Sequence, residues 1–334
     1  MPEATISWRA EALWEQLVPL LPGLSVEVVP RASSTNHLLL DRARAVPERR
    51  GPITSPGALD EVQLRHSVDS APWAGPARPA PRGGLSSPAE PDLLKSASFG
   101  RRAVDLQPCL LVAEHQTAGR GRQGRRWQAA PGASLTFSLG LALLAGDWSG
   151  LSLAVGVALA EALDPALGAA PRVGLKWPND LWLLDRAAGS TSPGRKLGGI
   201  LIETVAAGTQ RLAVIGVGLN VMPFRVGDSA DTGFASVREL DPAATAPAVL
   251  AQIARPLVLA LTQFEREGFA AFAERYAARD LLRGKRVRTT APDATEGIAR
   301  GVSPHGELLI ETAEGTQAIA SGEVSVRPVA DDAA

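Results

Sequence analysis

Nine consecutive residues, Gly119-Arg120-Gly121-Arg122-Gln123-Gly124-Arg125-Arg126-Trp127, hold the densest concentration of binding chemistry in this chain. Arginine presents a rigid fork of donors matched to carboxylate and phosphate. Glycine lets backbone approach a ligand closely and take positive φ, and tryptophan offers a flat face for stacking. Together they suit a small, strongly anionic molecule that carries an aromatic ring, such as a nucleotide. Gly119 and Gly124 have the spacing of a Walker A loop, but Arg125-Arg126 stands where the lysine and hydroxyl would meet phosphate and magnesium, so a P-loop is rejected. A short Arg-Gly segment for RNA and a solvated basic turn are the competing readings. Against the turn, each glycine costs ordering entropy that a mere surface loop has no reason to spend.

Three further segments carry reactive side chains. Lys176-Trp177-Pro178-Asn179-Asp180 breaks an apolar double strand, because proline removes a ladder hydrogen bond. It is either an Asx-type turn joining two strands or a place where Asp180 meets magnesium or a substrate donor. Lys196-Leu197-Gly198-Gly199 sets one lysine at the mouth of a strand, beside glycines that let a ligand close to the backbone. Gly216-Val217-Gly218-Leu219-Asn220 ends another apolar strand; its Gly-x-Gly equally suits a bulge, and Asn220 either satisfies backbone groups or meets a sugar hydroxyl.

The surrounding elements read as α+β. Residues 7–21 have helical apolar spacing, residues 24–29 read as a strand, and Ser34 or Thr35 stands at the N-cap position of a helix over 37–45. Strands are expected over 110–113, 134–143, 173–177, 181–184, 199–205 and 212–217, with a hairpin tip at 187–193. Helices are expected over 151–163 and 247–278. Beyond Gly284, five short alternating runs predict a small appended β-barrel. Between them, residues 47–106 hold nine prolines from Pro47 to Pro91 and no sustained period, which reads as a flexible insertion within one domain.

Composition narrows the classes. Thirty-four basic residues oppose 35 acidic ones, so no global field recruits nucleic acid or an anionic membrane, and the basic loop is a local device. The single cysteine, Cys109, excludes an internal disulfide and a cysteine-based zinc cluster. No run approaches the uninterrupted apolar length of a membrane span, and the expected location is the cytoplasm.

In this order, Ser33-Ser34-Thr35-Asn36, Gln116 with Gly119–Trp127, Lys176–Asp180, Lys196–Gly199 and Gly216–Asn220 resemble the biotin protein ligase family, the biotin–[acetyl-CoA-carboxylase] ligases. The resemblance implies a class II synthetase-like mixed-sheet catalytic domain over 1–282 and an SH3-like C-terminal barrel over 283–330. It also implies two steps: biotin and ATP form biotinyl-5′-AMP, with Mg2+, and a lysine of a biotin carboxyl carrier protein then takes the biotin. Carried over residue by residue, Ser34, Thr35 and Asn36 resemble the biotin-contacting segment, with Thr35 and Gln116 bonding the bicyclic ring. Arg120, Gly121 and Arg122 resemble the loop that closes over biotin and phosphate. Arg122 and Arg125 are the expected phosphate clamps, and Trp127 the adenine platform. Lys196 resembles the lysine that meets both the biotin carboxylate and the α-phosphate. Asp180 is expected near the metal or the attacking amine, and Asn220 near ATP. Only about 25 residues precede the first strand, too few for the winged helix of the family's repressors, so no operator binding is expected; a homodimer is implied by resemblance alone. Lipoate ligases use the same kind of domain, but the Gly-Arg loop with Lys176–Asp180 argues against that assignment.

Overall fold

The protein is described by a computed structural model at residues 6–45, 97–99, 106–144, 146–165, 170–185, 194–207, 210–224, 234–290, 295–320 and 326–328. In chain order these hold α1 (Ala10–Leu17), β1 (Ser25–Ala32), α2 (Thr35–Arg44), β2 (Ala97–Phe99), β3 (Cys109–Gln116), β4 (Ser134–Ala142), α3 (Leu151–Leu163), β5 (Val173–Lys176), β6 (Asp180–Leu183), β7 (Arg195–Ala207) and β8 (Gln210–Asn220). Then follow α4 (Ala246–Glu267), α5 (Ala273–Ala277), β9 (Arg286–Thr289), β10 (Glu296–Val302), β11 (Leu308–Thr312), β12 (Gly315–Ile319) and β13 (Val326–Pro328). The first eight strands form one mixed sheet in the order β2-β1-β3-β4-β8-β7-β6-β5; the last five form a small antiparallel sheet, β12-β11-β10-β9-β13. The α+β class and the separate C-terminal β unit agree with the expectation.

Strand alternation divides the large sheet into two working faces. On one, Val26, Val28, Leu110, Val112, Leu135, Phe137, Ile215 and Val217 pack in a core shared with α1, α3 and α4. On the other, Leu111, Ala113 and Val214 pack with Leu39, Leu40 and Ala43 of α2. Because α2 is short, it covers only part of this second face.

Several expectations shift in detail. The helix expected over 247–278 stops at Glu267, because Gly268 takes φ 65°, and the chain continues through a 3₁₀ turn into α5. By length and composition α4 could cross a membrane, but Val249, Leu250, Ile253, Leu257, Leu261 and Phe264 are buried in the core. Most of the expected insertion and the hairpin tip at 187–193 lie outside the described residues. Ala97–Phe99, inside the insertion's expected span, is instead a strand paired antiparallel with β1 through Val26↔Phe99. Three residues are too few to show a period.

Candidate functional site

The site begins as a row across the sheet. Thr136, Gly218, Gly199, Asp180 and Lys176 stand opposite one another on β4, β8, β7, β6 and β5. The adjacent row holds Ser138, Gly216 and Leu201. Glycines in the middle leave a trough with polar walls. The Gly-x-Gly of β8 forms no bulge, since its register with β4 and β7 is continuous; the glycines are there for space. A Cβ on Gly216 would collide with the Asn36 amide, and one on Gly218 would stand 2.5 Å from Trp127 Cε2.

A hairpin roofs the trough. Trp127 N donates to Gly119 O at 2.9 Å and Gly121 N to Arg125 O at 2.7 Å, while Arg120 and Arg126 form an antiparallel bridge. Gln123 and Gly124 turn the tip with φ of 56° and 68°. Beneath this roof lies a cleft of about 210 Å3. Ser34, Thr35, Asn36, Gln116, Arg120, Gly121, Arg122, Arg125, Trp127, Asp180 and Lys196 all line it, so eleven of the twelve expected site residues are brought together.

At one end the polar groups are fixed by a buried network. Thr35 N donates to Gln116 Oε1 at 2.7 Å, which turns the Gln116 amide so that its NH2 remains a donor. The Ser138 hydroxyl lies 2.6 Å from both Thr35 Oγ1 and Asn36 Oδ1. The Thr35 hydroxyl donates to Gln116 Oε1 at 3.2 Å, and Ser138 shares its one proton between Thr35 Oγ1 and Asn36 Oδ1, an amide oxygen that only accepts. Thr35 Oγ1 thereby keeps a lone pair for a ligand N–H. Asn36 Nδ2 donates to Leu201 O at 3.1 Å and to Glu203 Oε2 at 3.0 Å. Ser34 occupies the N-cap position of α2, yet its side chain makes no capping bond. This end thus offers donors and acceptors in fixed positions for a neutral polar ring.

The other end is charged. Lys196 Nζ lies 2.7 Å from Asp180 Oδ1, and Gly199 keeps the space above them open: a Cβ there would be 3.4 Å from Asp180 Oδ1 and 3.5 Å from Lys196 Nζ. The tight β5–β6 turn is locked from below. Asn179 Nδ2 donates to Ile200 O at 2.7 Å, and the buried Trp177 indole donates from Nε1 to Gly306 O of the C-terminal unit at 3.0 Å. The expected metal contact does not fit this arrangement. Asp180 is engaged by Lys196, and among the described residues no three His, Cys, Asp or Glu side chains cluster as metal ligands.

Asn220 is the exception among the expected residues. It is 3% exposed, does not line the cleft, and its Nδ2 donates to Ala235 O at 3.1 Å and Lys196 O at 3.4 Å. Its place on β8 opposite Ser134 puts it to work fastening the backbone that carries Lys196, the backbone-satisfying alternative of the two readings, while the ATP contact implied by resemblance has no counterpart in the cleft lining. Ser138 and Glu203 were missed. For Ser138 the signal was the alternation of Ser134, Thr136 and Ser138 with Leu135, Phe137 and Leu139, a polar face on an otherwise apolar strand; Glu203 carried none.

This fold and site define a ligase-type catalytic domain of the biotin and lipoate class. Residues 106–220 match the Biotin/lipoate A/B protein ligase family, and residues 284–327, spanning the small sheet, match the Biotin protein ligase C terminal domain. The Biotin–[acetyl-CoA-carboxylase] ligase of Mycobacterium tuberculosis is 35% identical over 240 residues, covering 70% of this chain and 83% of that one. The Bifunctional ligase/repressor BirA of Escherichia coli is 37% identical over 221 residues, and the chain spans 65% of its length. A biotin protein ligase from Aquifex aeolicus, solved in complex with biotin and ATP, aligns with a TM-score of 0.55 at 28% identity, over 66% of this chain and 89% of that one. The chain belongs to the biotin protein ligase family.

Proposed function

We propose that this protein activates biotin with ATP as biotinyl-5′-AMP and transfers the biotin to a lysine of a biotin carboxyl carrier protein. The observation that carries this reading is the two-ended cleft: a neutral hydrogen-bonding end at Thr35 and Gln116 meets a cationic end at Lys196 under an arginine roof. A cyclic urea offers N–H donors and a C=O acceptor, and Thr35 Oγ1 and Gln116 Nε2 present the complementary pair, with Ser34 and Asn36 beside them. Gly121 and the backbone of Arg120 close over the ring. Residues 1–282 form the catalytic part and 283–330 the C-terminal part, with the insertion at 47–106.

The first step joins two anions, which repel until fixed positive charge neutralises them. Lys196 lies between the biotin carboxylate and the α-phosphate, and Arg122 and Arg125 descend on the phosphates while Trp127 supports the adenine. A carboxylate oxygen attacks the α-phosphorus, and pyrophosphate leaves. In the second step the carrier's lysine amine attacks the acyl carbon, AMP leaves with the C–O bonding pair, and Asp180 receives the amine proton. The adenylate is a mixed anhydride open to hydrolysis, so a roof that excludes water protects it. Mg2+ bound with ATP would supply further neutralising charge at the phosphates; among the described residues no cluster of three carboxylate, His or Cys side chains would hold it.

Calorimetric titration with biotin and with lipoate tests the reading. Saturable heat with biotin and none with lipoate is expected; the reverse order of affinity overturns it.

A further inference from the structure

In the roof, Arg120 is held by an acidic side chain of the sheet beneath it. Arg120 Nη1 lies 3.5 Å from Glu203 Oε1 on β7. The other carboxylate oxygen of Glu203 accepts from Asn36 Nδ2 at 3.0 Å, and Asn36 Oδ1 in turn accepts from Ser138. Ser138 also holds Thr35, which donates its N–H to Gln116. One carboxylate therefore bridges the ring-recognising floor of the cleft and the strand that carries its roof. Glu203 is placed for this by sheet geometry: it lies two and four residues beyond Leu201 and Gly199 on the same face of β7.

We infer that Glu203 is a positioning residue that latches the roof hairpin to the ring-recognising floor, so that the adenylate is retained. The inference rests on the proposed ligase reading. Arg120 is thereby a strut, and phosphate contact is left to Arg122 and Arg125. The charge and the hydrogen bond of Glu203 act on different partners and separate by substitution. Glu203→Gln keeps an acceptor for Asn36 but removes the charge that holds Arg120; Glu203→Ala removes both.

The test measures dissociation of synthetic biotinyl-5′-AMP from the full-length protein, the biotin KM and kcat of pyrophosphate release, and hydrogen exchange at the Gly121 and Trp127 amides without ligand. For Glu203→Gln, adenylate dissociation and exchange at both amides should rise about two- to fivefold, the range for a half-exposed ion pair, with biotin KM within twofold of wild type. Glu203→Ala should add a rise in biotin KM, because Asn36 loses its partner. Unchanged dissociation and exchange in Glu203→Gln overturn the latch, and the isosteric variant gives this answer even if Glu203→Ala misfolds. Exchange is read without substrates: faster exchange with no adenylation in wild type would sink the ligase reading and leave the hairpin anchor standing.

Discussion

Gly218→Ala adds one methyl group to the floor of the cleft, and its effect follows from three distances. The new carbon would stand 2.5 Å from Trp127 Cε2, 2.7 Å from Cζ2 and 2.8 Å from Nε1, whereas carbon atoms in contact prefer about 3.5–4.0 Å. The indole must move by about 1 Å, and it cannot do so freely because Trp127 N is bonded to Gly119 O. Its Nε1 is buried without a partner, so no side-chain hydrogen bond holds the ring, which tilts off the floor at the proposed adenine position. Stacking of a base on an aromatic ring is worth about 1–3 kcal/mol, which sets the expected loss of ATP affinity at roughly 5- to 150-fold. The ring-recognising end is built on Thr35 and Gln116, whereas the three atoms nearest a Cβ on Gly218 all belong to Trp127, so biotin affinity should stay within about threefold. Calorimetric titration of biotin, then of a non-hydrolysable ATP analogue into the biotin complex, gives both numbers. Wild-type nucleotide affinity in Gly218→Ala would refute the placement of adenine against Trp127.

Two further predictions bear on the charged end and on stability. Lys196→Ala should slow adenylation by about 10²–10³, the effect of removing one preorganised charge from a developing anionic centre, measured as the rate of pyrophosphate release at saturating biotin and ATP; activity near wild type would remove Lys196 from the reaction. Asp280 bears on pH: burial pushes its carboxyl above the usual range against the lowering effect of the Leu282 and Arg283 amides, and Oδ2 has no partner. A carboxyl raised in the native state binds its proton more tightly folded than unfolded, so stability is lost as pH rises from the ordinary carboxylate value through the native one. Asp280→Asn should therefore melt higher than wild type at pH 7, with the gap closing as the pH falls to about 4; a lower melting temperature at pH 7 contradicts this.

Much of the fold was legible because its elements are long enough to show a period. The expected helix over 151–163 coincides with α3, and β4 and β8 lie where apolar runs placed them. The cleft was legible wherever residue type alone implies an unusual task, as with arginines among glycines or a lysine before paired glycines. What failed needed register. Asn220 follows Gly216 and Gly218 on β8 by even steps, but Ala235 and Lys196 claim its amide, and neither partner is near it in sequence. Glu203 resembles any charge near the end of a strand until Asn36, 167 residues away, is found against it. Gly-x-Gly was ambiguous for the same reason: only the side chains crossing above show whether a glycine bends a strand or clears room over it.

If one cleft performs both adenylation and transfer, a single-turnover experiment will resolve the two steps in time. Full-length protein is mixed with limiting labelled biotin, ATP and excess biotin carboxyl carrier domain, and both pyrophosphate and protein-bound label are followed in time. Pyrophosphate should be released first, followed by stoichiometric label on one carrier lysine, with neither product formed when biotin or ATP is left out. Tight binding of biotin with no pyrophosphate and no labelled carrier would contradict this, and would make the protein a sensor rather than a ligase.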